Sequence, residues 1–143
     1  MEIFMKHMKT VRSFTNVINR LREVNLRPTR QRISLAKMLL EGEDRHITAE
    51  ILHQEALGLN ISVSLATVYN TLNQFTAAGI LREIGVDSQH CYFDTNTSDH
   101  HHFFFEKTKH LEDIKSEDMV LTSIPKPPDG TVVKRVDIVI RLK

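Results

Sequence analysis

The chain has 143 residues, 41% hydrophobic and 26% charged, which is an ordinary globular composition and fits one domain or two small ones. Its single cysteine, Cys91, excludes an internal disulfide and a Cys-x-x-Cys zinc clamp. No apolar run nears the roughly 20 residues that span a bilayer, and MEIFMKHMKT lacks a leader's apolar core, so a reducing cytoplasm and no membrane partner are expected.

The net charge of +1 conceals an asymmetry: residues 1–82 carry 11 Lys/Arg against 7 Asp/Glu, and residues 83–143 carry 8 against 11. A basic front and an acidic, His-bearing rear suggest an anion-binding module joined to a cation-binding one. A basic face that is merely solvated is the plainer alternative.

Apolar spacing predicts a first helix over Val11–Val24, broken by Arg27-Pro28-Thr29. Thr29 caps a second helix over about Arg30–Glu41, stopped by Gly42. Arg30 and Arg32 stand in its first turn, where the helix dipole disfavours cations, a placement that suits an external anion. Thr48 starts a third helix, Ala49–Leu57, and Ser62 or Ser64 caps a fourth that ends before Gly79.

On that fourth helix Leu65, Val68, Leu72 and Phe75 share one side, leaving Ala66, Thr67, Asn70, Asn73, Gln74 and Ala77 opposite. No Asp, Glu, Lys or Arg occurs between Ile61 and Leu81. An uncharged face of amides, hydroxyls and methyls suits the major groove, where Asn and Gln bond base edges and acids would be repelled. A half-buried linker helix is the ordinary alternative. Leu81–Val86 and His90–Phe93 read as a hairpin, so three helices and a hairpin give a winged helix-turn-helix order.

The run His100-His101-His102 lies in a predicted strand, Asp99–Glu106. Alternation points His100 and His102 one way, with Phe104 behind them, and His101 the other way with Asp99, Phe103 and Phe105. Two imidazoles on one strand face can grip an ion, and carboxylates from Asp94 or Asp113 complete a set of four to six N/O ligands. An exposed polar turn before a buried strand is the bland reading. Strands are expected at His102–Phe105, His110–Ile114 and Val132–Leu142. Some fifty residues with three strands make too small a core alone, and the β-branched last segment invites a second copy.

Leu26-Arg27-Pro28-Thr29-Arg30-Gln31-Arg32, His46-Ile47-Thr48-Ala49-Glu50, Ser64-Leu65-Ala66-Thr67-Val68-Tyr69-Asn70-Thr71-Leu72 and Ala78-Gly79-Ile80-Leu81 resemble, in order, the ferric uptake regulator family. The resemblance covers about Val24–Ile140. It implies an α+β fold, with an N-terminal winged helix-turn-helix DNA-binding domain (1–94) and a small α/β dimerisation and metal- or haem-sensing domain (95–143). It implies a homodimeric transcription regulator acting on operator DNA. The family's regulatory metal site falls on His46, Asp94, His100, His102 and Asp113, while Asp99 and His101, with His110 undecided, are left as a second metal or haem set.

Phe105 and Thr108 stand where many members have a Cys-x-x-Cys pair, so no structural zinc held by four cysteines is expected, and Val136 replaces a His of the second site. These departures, with the His triplet, are similar to the iron response regulator branch, which answers to iron and haem. That branch's Cys-Pro haem motif is missing; Cys91 is followed by Tyr92. Fe2+ or Mn2+ is therefore expected, with Zn2+ binding in vitro. Haem on His100 or His102, against Phe103–Phe105, is the competing ligand, although strand phenylalanines usually pack in cores. Haem or a haem-synthesis enzyme joins DNA and a second copy among the expected partners. Arg27, Arg30 and Arg32 are expected on phosphates, and Thr67, Tyr69, Asn70 and Gln74 on bases. Asn70 stands where many relatives have Arg, so an altered operator is expected. The different-class alternative is a metal- or haem-binding protein without DNA function. An enzyme is not expected, because no nucleophile stands with a positioned base and there are only five glycines.

Overall fold

The computed structural model describes residues 16–143; the predicted start of the first helix at Val11, and His7, fall outside the described residues. The described chain divides into two units. One comprises residues 16–85 with Cys91–Thr97, and the other Val86–His90 with Ser98–Lys143.

In the first unit, helix α1 is described over residues 16–23, with Val17 and Leu21 turned into the core. It ends before the predicted Val24. Asn25 takes the left-handed conformation (φ 60°), and the Leu26 amide closes back on the Leu21 carbonyl at 2.9 Å, a Schellman-type stop. Helix α2, Arg30–Leu40, is capped by Thr29, whose hydroxyl accepts from the Arg32 amide at 3.3 Å. Helix α3, Ala49–Gly58, is capped by Thr48, and helix α4, Leu65–Ala77, by Ser64. These side chains take up amide N–H groups that a first helical turn leaves unpaired.

The predicted apolar side of α4 is the buried one: Val68, Leu72 and Phe75 are fully enclosed, packed with Leu35, Leu39 and Leu52 of α2 and α3. After α4, Gly79 (φ 82°) turns the chain and the Ile80 amide bonds to the Phe75 carbonyl at 2.9 Å. Strands β2, Arg82–Gly85, and β3, Cys91–Asp94, form the antiparallel wing. A two-residue strand, β1, His46–Ile47, pairs with the other edge of β3, giving the order β1-β3-β2. The element order is that of a winged helix-turn-helix.

The second unit is a three-stranded sheet in the order β5-β4-β6. Strand β4, His101–Phe105, pairs antiparallel with β5, His110–Ile114, and parallel with β6, Val139–Leu142. A single 3-10 turn, Ser116–Asp118, follows β5. The expected long strand over Val132–Leu142 is shortened to its last four residues. Its register uses His102–Phe105 of the five-residue β4, so residues 132–137 have no strand beside them among the described residues. Register gives the sheet two faces. His102, Phe104, Leu111 and Asp113 share one, and Phe103, Phe105, Ile140 and Leu142 share the other.

Candidate metal centre and nucleic-acid face

Each unit carries a cluster of imidazole and carboxylate groups. In the first, β1 sets His46 opposite Asp94 of β3, and His46 Nε2 lies 3.0 Å from Asp94 Oδ2. The Asp94 side chain is 1% exposed, and its Oδ1 accepts from the Asn96 amide at 2.9 Å. That turn, an Asp bonding the amide two residues on, is readable in sequence and was missed as the element that fixes Asp94. Arg82, itself buried, is the register partner of Asp94 on β2.

In the second unit, His100 Nε2 and His102 Nε2 lie 3.2 and 3.1 Å from the same oxygen, Asp113 Oδ1. The alternation read from sequence produces this: positions 100 and 102 share a face, and β5 brings Asp113 opposite His102. His100 Nδ1 donates to the Ser98 carbonyl at 2.6 Å; a carbonyl only accepts, so the proton must sit on Nδ1. Its Nε2 then meets a carboxylate oxygen, as does that of His102. Two acceptors facing each other need a shared proton or a cation between them. The Ser98 carbonyl therefore fixes the tautomer of His100. Sequence reasoning missed Ser98, because its contribution is a backbone carbonyl.

The donors across both clusters are imidazole nitrogen and carboxylate oxygen, and thiolate is absent from them. Such a set fits Fe2+ or Mn2+ better than a structural zinc. Cys91 belongs to neither cluster. Its thiol donates to Glu83 Oε1 at 2.9 Å, and burial, aided by that hydrogen bond, pushes its pKa up to about 12.

The second set is not gathered. His101 Nδ1 accepts from the Ile138 amide at 3.1 Å, so it ties β4 to the chain entering β6. His110 is exposed and lies against Phe105, with rings 5.7 Å apart. His101 and His110 stand at opposite ends of the β4–β5 ladder, which at strand spacing is about 13 Å. Asp99 is exposed just before β4.

The phenylalanines also separate. Phe104 is fully buried, with the Arg141 guanidinium 5.2 Å from its ring centre, while Phe103 and Phe105 lie on the sheet face away from His102. His53 is half-buried, and its Nε2 lies 3.0 Å from the Val63 carbonyl.

On the outward side of α4, Asn70 and Gln74 are exposed and Thr67 is half-buried. Ser64 accepts from the Thr67 amide at 3.1 Å. The Tyr69 hydroxyl donates a short hydrogen bond to Glu50 of α3; that bond raises the tyrosine pKa and lowers that of Glu50. Arg32 is turned onto Gln74. Arg27 and Arg30 are exposed, and Arg30 makes no ion pair with any described residue. It lines a cleft of about 360 Å³ with Gln31, Ser34, Asn60, Ile61 and Ser62.

Residues 23–126 match the family model described as the ferric uptake regulator family. A ferric uptake regulation protein of Pseudomonas fluorescens is 31% identical over 105 residues, 73% of this chain and 80% of that protein. Its Pseudomonas aeruginosa counterpart is 37% identical over 81 residues, 57% of this chain and 60% of that protein. Among solved structures, the Pseudomonas aeruginosa ferric uptake regulator with manganese superposes with a TM-score of 0.68 at 23% identity, covering 89% of this chain and 96% of that one. The Vibrio cholerae ferric uptake regulator gives 0.66 at 20%, covering 88% and 98%. At these identities the superpositions establish a shared fold. No described helix is long and apolar enough to cross a membrane.

Proposed function

Because the chain belongs to the ferric uptake regulator family, a family of regulators rather than enzymes, we propose that it is a homodimeric, metal-responsive transcription regulator of iron-related genes. Helix α4 enters the operator's major groove, Arg27 and Arg30 grip phosphates, and Thr67, Tyr69, Asn70 and Gln74 face bases. His46, Asp94, His100, His102 and Asp113 hold one divalent ion, Fe2+ or Mn2+, with Zn2+ as an in vitro occupant.

The observation that carries this reading is the convergence of His100 and His102 on one oxygen of Asp113. It supplies three N/O donors, one short of the smallest common shell, and the His46–Asp94 pair supplies two more. When bound, the ion supplies a cross-link that neutralises two carboxylates. Its ligands then share one constraint, and coupling of about 1–3 kcal/mol to DNA affinity is the usual size of such an effect. The dimer sets the spacing of two recognition helices along the operator.

Within the family, Phe105 and Thr108 in place of a cysteine pair favour the iron response branch. A small ion is favoured over haem, because Phe103 and Phe105 lie on the other sheet face from His102 and Phe104 is enclosed.

A mobility shift of metal-stripped protein on iron-gene promoter DNA, with and without Mn2+ or haem, tests the proposal. A specific complex that strengthens with Mn2+ is expected. No specific complex under any condition would leave a metal-binding protein without DNA function. A complex that responds to haem alone would move the sensing role away from the ion.

A further inference from the structure

Arg32 on α2 and Gln74 on the third turn of α4 are joined by two hydrogen bonds. Arg32 Nε and Nη2 donate to Gln74 Oε1 at 3.3 and 3.0 Å, and Arg32 Nη1 donates to the Arg27 carbonyl at 3.0 Å. The guanidinium is a planar fork of donors with no acceptor, so the atom it meets must be the amide oxygen. Its third bond ends on the residue before Pro28, where the backbone is restricted. The two N–H groups converge on Oε1 from one side and hold it against the guanidinium. Gln74 is thereby held in one sense, with oxygen inward on Arg32 and the NH2 group left for whatever meets the exposed face of α4.

A free glutamine reads adenine by a bidentate contact, donating to N7 and accepting from N6. In this chain the oxygen of Gln74 is committed to Arg32. Its NH2 group matches edges that present acceptors: guanine, with N7 and O6 side by side, and to a lesser degree thymine O4. It meets the amino groups of adenine and cytosine donor against donor. The positive guanidinium behind the amide strengthens this polarity, as charge-assisted hydrogen bonds do.

We propose that Arg32 sets base specificity by orienting Gln74 as a donor-facing reader that selects guanine over adenine. Arg32 is a positioning residue that acts through Gln74. This rests on the reading above that α4 faces bases, and it goes beyond the phosphate role expected for Arg32 from sequence.

The test is a base-by-base substitution series of the operator, bound by the full-length protein and by Gln74→Ala, Arg32→Ala and Arg32→Lys, each checked for native helix content. The base pair whose preference collapses in Gln74→Ala is the one that Gln74 reads. There, the parent protein should favour guanine over adenine by about tenfold. Arg32→Ala should lose most of that ratio by gaining adenine, and Arg32→Lys, which keeps the cation but not the fork, should fall between the two. Three results overturn the inference: a parent preference for adenine at that pair, no base preference altered by Gln74→Ala, or equal weakening on all bases by Arg32→Ala with the guanine ratio intact. The last marks Arg32 as a phosphate contact. A parent protein with no sequence-specific binding instead fails the DNA-binding reading itself, and the inference falls with it.

Discussion

His46 and Asp94 are register partners on the β1–β3 ladder, and the imidazole Nε2 of one lies 3.0 Å from the carboxylate of the other. The Asn96 amide holds the second oxygen of Asp94 at 2.9 Å, so this carboxylate cannot swing away. Asp94→Asn keeps the shape and removes the charge. Calorimetric titration of Mn2+ should show affinity lowered by about 10–100-fold, a loss that even outer-shell partners of metal sites produce. An unchanged Kd would remove Asp94 from the ligand set. Asp94→Ala should in addition cost about 1 kcal/mol in urea unfolding of metal-free protein, because the part-buried Asn96 amide loses its acceptor.

That pairing marks the limit of what the sequence discloses. The 3.6-residue period locates α2, α3 and α4 almost to the residue, because each has an apolar side and a Thr or Ser cap. The period of two separates His101 from His100 and His102, because alternation is a local rule. Strand β1 is not legible: two residues carry no period, and it exists only because β3 offers an edge. The parallel placement of β6 on β4 is equally hidden, since it depends on a partner more than thirty residues away. His46 enters the site by family resemblance, not by any pattern around it. Arg32 shows the converse: its position near a helix start reads as an anion site, while the tertiary fold turns it onto Gln74.

The sheet face carrying Phe103, Phe105, Ile140 and Leu142 is only half covered within one chain, and Ile140 is 36% exposed. A half-covered apolar face beside an edge strand is the natural seat of a second copy. Ile140→Glu should shift sedimentation towards monomer at concentrations where the parent is dimeric, with helix content unchanged. DNA affinity should fall with it, because a dimer grips two half-sites. A variant that sediments as the parent does would place the dimer contact elsewhere.

Cys91 should be a poor nucleophile. Burial first, and its bond to Glu83 second, push its pKa up to about 12, so at pH 8 the thiol stays protonated, and only the thiolate reacts. Iodoacetamide should modify native protein far more slowly than protein in urea. The unfolded thiol ionises near 9, so this group also lowers stability as pH rises from 9 towards 12. Equal rates in native and unfolded protein would show the thiol to be accessible and ionisable.

The wing turn has the opposite titration. Hydrogen bonds from the Gln89 amide, and next from the His90 ring, hold Asp87 at a pKa of about 2, below its ordinary 3.8. A depressed acid stabilises the fold above its unfolded value and loses that contribution as pH falls through the folded one. Amide protection of Gln89 and His90 should therefore be full above pH 4 and fade towards pH 2. In Asp87→Ala it should be weak throughout. Protection that persists in Asp87→Ala would assign the turn's order to its backbone bonds alone.

Arg30 offers the clearest test of backbone grip. It lies at the start of α2, makes no ion pair with any described residue, and opens onto the cleft formed with Ser34, Asn60 and Ser62. A cation there neutralises one phosphate and releases its condensed counterion. Arg30→Ala should weaken binding to specific and unrelated DNA alike and lower the slope of log K against log salt by roughly one. The measurement is a salt titration of both DNAs by fluorescence anisotropy. Loss confined to the specific operator, with the slope unchanged, would instead assign Arg30 to base reading.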